Sequence, residues 1–167
     1  AKAAKCSALM LTLDLQILGQ RHKDIKNGMS VPPKLTLANL IDLATKPAWA
    51  MRALMGRKTF GNLAGHVKGS KNIVTLSEWT ASQFDPSLSW DDVAWIKQEW
   101  GGKLILKGIL DVEDARLAVA AGADAIVVSN HGGRQLDSAM SSIQALPAIV
   151  EAVGHQTEVW FDGGIRT

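Results

Sequence analysis

The chain has 167 residues, 47% of them hydrophobic and 20% charged, with a formal net charge of +2. That balance supports one buried core and excludes a disordered chain. A single cysteine, Cys6, excludes an internal disulfide framework and a cysteine zinc cluster and fits a reducing, cytoplasmic-side compartment; no apolar run approaches the roughly 18 residues of a membrane span.

In chain order, Ala8–Asp14 reads as a short strand buried on both faces. Residues 15–84 are long for a connection, which marks a functional excursion. Within them, residues 20–72 hold ten Lys or Arg against Asp24 and Asp42, a net of +8 in a chain totalling +2, so the remainder carries −6. The cations are Arg21, Lys23, Lys26, Lys34, Lys46, Arg52, Arg57, Lys58, Lys68 and Lys71, interleaved with Trp49, Met51, Leu54, Met55, Phe60 and Leu63. Such a mixture suits a segment lying in a lipid interface and equally a helix packing on its own protein. No basic-aromatic nucleic-acid module is recognisable, so nucleic acid is not an expected partner.

From residue 85 the pattern becomes regular. Ser89 and Asp92 form a capping box ahead of Val93, Ile96 and Trp100 at helical spacing, and Gly101-Gly102 ends that helix. Lys103–Ile109 is a buried strand. Asp111 caps a second helix with an inner stripe of Ala115, Val119 and Ala120, and Gly122 stops it. Asp124–Asn130 is the next strand. A third helix runs through Ile143, Leu146, Ile149, Val150 and Val153, with Pro147 bending it or marking a late start. Glu158–Asp162 is the last strand.

Strands alternating with single helices predict an α/β fold with parallel strands. Four strands are half of an eight-stranded barrel or part of an open sheet; a full barrel needs ~250 residues. In such folds ligands bind where the strands end. Here those ends carry Thr12 and Asp14, Lys107, Ser129 with His131 and Arg134, and Asp162 with Gly163, Gly164 and Arg166. Singly, each has a bland alternative: Asp14 as a helix cap, Lys107 as a snorkelling side chain, His131 as a satisfied loop histidine, Asp162-Gly-Gly as a simple turn. Together they concentrate polar groups at one topological position at a cost in desolvation. The glycine pair and Arg166 suit a phosphate and polyol cradle. His131 suits proton transfer near neutral pH, with Asp14 to stabilise its imidazolium, and Arg134 suits a carboxylate. Lys107 suits negative charge building up on a cofactor ring during reduction.

Leu11-Thr-Leu-Asp14 with Arg21 seven residues later, Leu106-Lys-Gly108, Ser129-Asn-His-Gly-Gly-Arg-Gln-Leu-Asp137 and Asp162-Gly-Gly-Ile-Arg166 together resemble the FMN-dependent α-hydroxy acid dehydrogenase and oxidase family, in order and over the whole chain. The stretch Asp14–Gly28 is most similar to bacterial L-lactate dehydrogenase members. The final motif is shared with other flavin and phosphate barrels such as IMP dehydrogenase, whose catalytic cysteine loop is not matched at Cys6.

The resemblance implies a (β/α)8 TIM barrel of which residues 1–167 cover about strands four to seven, with the long basic loop, 15–84, after the first strand present. It implies FMN, contacted by Thr12, Lys107, Ser129, Asp162, Gly163, Gly164 and Arg166. His131 would be the base with Asp14 its partner, and Arg21 and Arg134 would hold the substrate carboxylate. The implied reaction is oxidation of a small L-2-hydroxy acid, L-lactate first among them, with a quinone or oxygen as electron acceptor. A glycolate oxidase-like enzyme using oxygen and an inactive truncated fragment are the alternatives. The family's tyrosines and its eighth strand are missing, which reads as truncation. A homo-oligomer when full length, in the cytoplasm or peripheral on the inner face of the cell membrane, completes the expectation.

Overall fold

The computed structural model describes residues 1–17, 19, 22–28, 36–56, 79, 82 and 84–166. It forms two units, Ala1–Gln20 with Asp85–Thr167, and Arg21–Phe84. The first holds a parallel sheet of β1 (Ala8–Thr12), β2 (Lys103–Ile109), β3 (Ala125–Val128) and β4 (Glu158–Phe161), side by side in that order. The helices α4 (Trp90–Trp100), α5 (Val112–Ala120) and α6 (Ser142–Val153) precede β2, β3 and β4. The second unit contains α1 (His22–Lys26), α2 (Leu37–Ala44) and α3 (Pro47–Met55), within the stretch expected as a long connection.

The apolar strand sequences decide the layering. Leu11, Leu106, Ile126 and Val159 are in register across all four strands. With Leu104 and Val128 this face packs on Val93, Ala115, Ala118, Ala145, Ile149 and Val153 from the helices. The other face carries Thr12, Lys107, Val127 and Trp160 in register, and is more open: Met10 is 49% exposed and Trp160 43%.

Helix starts follow the expected caps. The Ser89 amide donates to Asp92 Oδ2 at 2.8 Å, and the Asp111 carboxylate accepts from the Glu113 amide at 2.8 Å. Gly101 closes α4 in the left-handed region. The helical stripes match expectation in part, with Val93, Ala115, Ile149 and Val153 buried as expected. In α5 the buried pair is Ala115 and Ala118, three residues apart on one face, and Ala120 is exposed because it falls on the other. In α6 the buried residues are Ser142, Ala145, Ile149 and Val153, whereas Ile143 and Val150 face outward, and Pro147 lies within the helix rather than at its start.

The two ends of the sheet contrast. At the amino ends Asp124 accepts from Lys97 Nζ, the Leu104 amide and Lys103 Nζ. The Lys97 ammonium first, then the other two donors, holds its carboxyl well below the usual range. This network ties α4 and β2 to the start of β3. At the carboxyl ends β1, β3 and β4 stop one or two residues sooner than the apolar runs suggest, while β2 ends at Ile109 as expected. The backbone still reaches across, with Leu13 N–H donating to Lys107 O at 2.8 Å and Asp162 N–H to Val128 O at 3.2 Å.

Candidate active site

Five of the expected residues converge at the carboxyl ends of the four strands. Lys107 Nζ lies 2.8 Å from Ser129 Oγ, 3.4 Å from Asp14 Oδ2 and 3.5 Å from Asp162 Oδ2. His131 Nδ1 lies 3.0 Å from Asp14 Oδ1. One carboxylate therefore serves an imidazole and an ammonium through its two oxygens. Asp14, Lys107 and His131 are each more than four-fifths withdrawn from solvent, at 13%, 17% and 18% side-chain exposure, so their interactions are less screened than surface pairs.

His131 sits at φ +56, an uncommon backbone state for a residue with a side chain. Its peptide groups are held on both sides. The His131 amide donates to Ser129 Oγ at 3.1 Å, and its carbonyl accepts from Arg134 Nε at 2.9 Å. Ser129 is fully buried, and its oxygen accepts from both Lys107 and the His131 amide. Gly132 and Gly133, both at positive φ, complete the turn, and the Asn130 side chain accepts from the Gly133 amide. Strain of this kind persists only where the surroundings over-determine it.

Gly108 was not among the expected site residues, yet it makes room for one. Its φ is +107, the pairing of β2 with β3 shifts register around it, and a Cβ there would stand 2.8 Å from Asp14 Cβ. The available signal was a lone glycine inside an otherwise apolar strand, which marks a bulge or a close approach. Ser142 and Asn130 were likewise missed. The Ser142 hydroxyl donates to the Asp162 carbonyl, and Asn130 Nδ2 donates to the Met140 carbonyl at 3.3 Å. No spacing rule announces such partners.

The remaining expected residues are placed as follows. Thr12, the last residue of β1, pairs in register with Lys107. Gly163 and Gly164 follow β4 at φ +108 and +71, and Arg166 beyond them is exposed. Arg134 is exposed and engages the His131 carbonyl through Nε, a bond that does not use its two terminal nitrogens. Arg21 lies outside the described residues, as do Lys34, Arg57, Lys58, Phe60, Leu63, Lys68 and Lys71 of the basic stretch.

The donor set fits an FMN tail. Asp162 Oδ1 is buried and has no hydrogen-bond partner among the described residues, so it is an acceptor matched to a polyol hydroxyl. A Cβ on Gly164 would meet nothing within 4 Å among the described residues, which suits close approach of a ligand to its backbone. The glycine amides and Arg166 would supply donors for a phosphate.

A family model described as FMN-dependent dehydrogenase matches residues 1–167. The L-lactate dehydrogenase of Caulobacter vibrioides (strain NA1000 / CB15N) is 44% identical over all of this chain and 44% of its own length. That of Ectopseudomonas mendocina (strain ymp) is 45% identical over the same shares. The chain thus spans less than half the length of these relatives. Among solved structures, the monotopic membrane protein (S)-mandelate dehydrogenase aligns with a TM-score of 0.79 at 32% identity, over 96% of this chain and 42% of that one. Mandelate oxidase aligns with a TM-score of 0.66 at 36% identity, over 99% and 38%. With a parallel α/β sheet gathering the motif residues at one end, and a match along its whole length, this chain belongs to the FMN-dependent dehydrogenase family.

Proposed function

We propose that the protein oxidises a small L-2-hydroxy acid, L-lactate first among them, to the 2-oxo acid with FMN, and passes the electrons to a quinone or to oxygen. In this reading residues 1–167 are about strands four to seven of a (β/α)8 barrel. The observation that carries it is the Asp14–His131 pair, 3.0 Å apart and flanked by Lys107.

The chemistry follows from that pair. With the Asp14 carboxylate as acceptor, Nδ1 carries the proton and His131 Nε2 is left to take one from the hydroxy acid. The Asp14 carboxylate then stabilises the imidazolium. Arg134, together with Arg21, holds the substrate carboxylate with charge-assisted bonds. Lys107, with Thr12 and Ser129, serves the ring of the cofactor, and Asp162, Gly163, Gly164 and Arg166 serve its ribityl-phosphate end. FMN, when bound, supplies the two-electron acceptor. Anaerobic mixing of the FMN-loaded full-length protein with L-lactate, glycolate and (S)-mandelate tests the proposal. L-lactate is expected to bleach the yellow oxidised flavin fastest, and air or a quinone then identifies the acceptor by restoring the colour. Bleaching by none of the three acids would refute the reading.

A second reading concerns the 167 residues alone. The outer strands β1 and β4 flank a face on which Met10 and Trp160 are about half exposed, which favours self-association over turnover. Stoichiometric FMN absorbance in the isolated chain would refute it.

A peripheral membrane position at the inner face of the cell membrane belongs to the same proposal. In α2 and α3, Leu37, Ile41, Trp49, Met51, Leu54 and Met55 are exposed, on helices that also carry or adjoin Lys46 and Arg52. No helix among the described residues is long and apolar enough to cross a membrane. Replacing residues 31–72 with a short neutral loop is expected to abolish flotation of the full-length protein with anionic liposomes. Equal flotation before and after would remove the membrane reading.

A further inference from the structure

Ser142 is the first residue of α6, only 4% exposed, and points away from any role in capping its own helix. That role belongs to Ser141, whose hydroxyl pairs with Gln144. The Ser142 hydroxyl instead donates across 20 residues to the carbonyl of Asp162, at 2.5 Å. The contact is tight on the following residue as well, since a Cβ on Gly163 would stand 3.1 Å from Ser142 Oγ.

The consequence lies in peptide geometry. In a trans peptide the carbonyl of one residue and the N–H of the next point in opposite directions. Holding the Asp162 carbonyl against α6 therefore turns the Gly163 N–H to the other side of the peptide plane. Gly163 and Gly164 then run at φ +108 and +71, a backbone with no side chains of its own to keep a ligand from its amides. Without the Ser142 bond the same peptide could rotate about Asp162 ψ and Gly163 φ, the second of which a glycine leaves soft, and the carbonyl could face the anion.

We infer that Ser142 is a positioning residue for the phosphate end of FMN, setting the direction of the Gly163 amide through the Asp162 carbonyl. The inference rests on the cofactor reading above and extends it to a residue outside the loop that touches the ligand. It differs from a general helix-anchoring role in one respect. Its effect is confined to the anionic end of the ligand.

Riboflavin, which lacks the phosphate, separates the two roles. In the full-length protein, Ser142→Ala is expected to raise the dissociation constant for FMN about tenfold, read by flavin fluorescence, the loss typical of one hydrogen bond to a charged group's site. The constant for riboflavin should stay within about twofold. Ser142→Cys keeps the volume but is a weak donor, and should move FMN affinity in the same direction even if the alanine variant folds poorly. Ser141→Ala should lower the melting temperature through the lost cap, yet leave the FMN constant within about twofold. FMN affinity unchanged in both Ser142 variants overturns the inference, as does an equal weakening toward riboflavin, or the same weakening in Ser141→Ala. Wild-type protein that binds no FMN overturns the cofactor reading itself, and this inference with it.

Discussion

Replacing His131 by Gln in the full-length protein is expected to lower turnover of the hydroxy acid by ~10²–10⁴, the contribution of a positioned general base, with flavin still bound. On the transition-state scale that is about 3–5 kcal/mol. Glutamine keeps an amide within reach of Asp14 Oδ1 and adds no charge, so the Asp14–Lys107 pair at 3.4 Å can persist. What it lacks is a nitrogen able to accept a proton, and that is the property the reading assigns to Nε2. The backbone at φ +56 remains clamped by Ser129 and Arg134, since both bonds are made to main-chain atoms of residue 131. The melting temperature should therefore fall by only a few degrees, about what 1 kcal/mol of backbone strain costs a domain of this size. FMN content is the internal control, because Asp162–Arg166 is untouched. Turnover equal to wild type with full flavin content would remove His131 from the reaction.

Much of this arrangement was legible in the residues, for identifiable reasons. Lys103–Ile109 and Asp124–Asn130 announce buried parallel strands because both faces must be covered; the second run ends on Ser129 and Asn130, which fall outside the ladder, whereas Lys107 stays in it near the end of the first. The convergence of Asp14, Lys107, Ser129, His131 and Asp162 then follows from parallel connection, which brings all strand ends to one side. Helix faces were harder. Ile143 and Val150 satisfy helical periodicity, but the inner side is Ser142, Ala145, Ile149 and Val153, so two of its four positions carry small residues that an apolar pattern does not single out. Residues acting through the main chain were not legible at all. Ser142 reaches a carbonyl, and Gly108 acts by having no side chain, so neither carries a chemical signature in one dimension.

Gly108→Ala is accordingly the substitution expected to do the most damage outside the titrating groups. The new Cβ would lie 2.8 Å from Asp14 Cβ, 2.9 Å from Asp14 Cγ and 3.0 Å from the Asp14 backbone nitrogen. Real Cβ atoms essentially never come within 3.0 Å of another heavy atom, and the position of Asp14 Cβ is set by its own backbone, so a rotamer change cannot relieve the shortest contact. The φ of +107 adds strain that alanine does not tolerate. Overpacking and backbone strain together should cost about 2–5 kcal/mol, a fall of roughly 5–15 °C in melting temperature for a domain of this size. The direction of relief matters more than its amount. Either Asp14 retreats, lengthening its 3.0 Å bond to His131 and its 3.4 Å contact with Lys107, or β2 shifts and carries Lys107 away from Ser129. Both displace a reacting group by something near 1 Å, and a misplacement of that size costs on the order of 10² in rate. Turnover per folded, flavin-loaded molecule should therefore drop by about two orders of magnitude, beyond what instability explains. A variant that melts low but turns over normally would show that the Asp14–His131 distance is not what sets the rate.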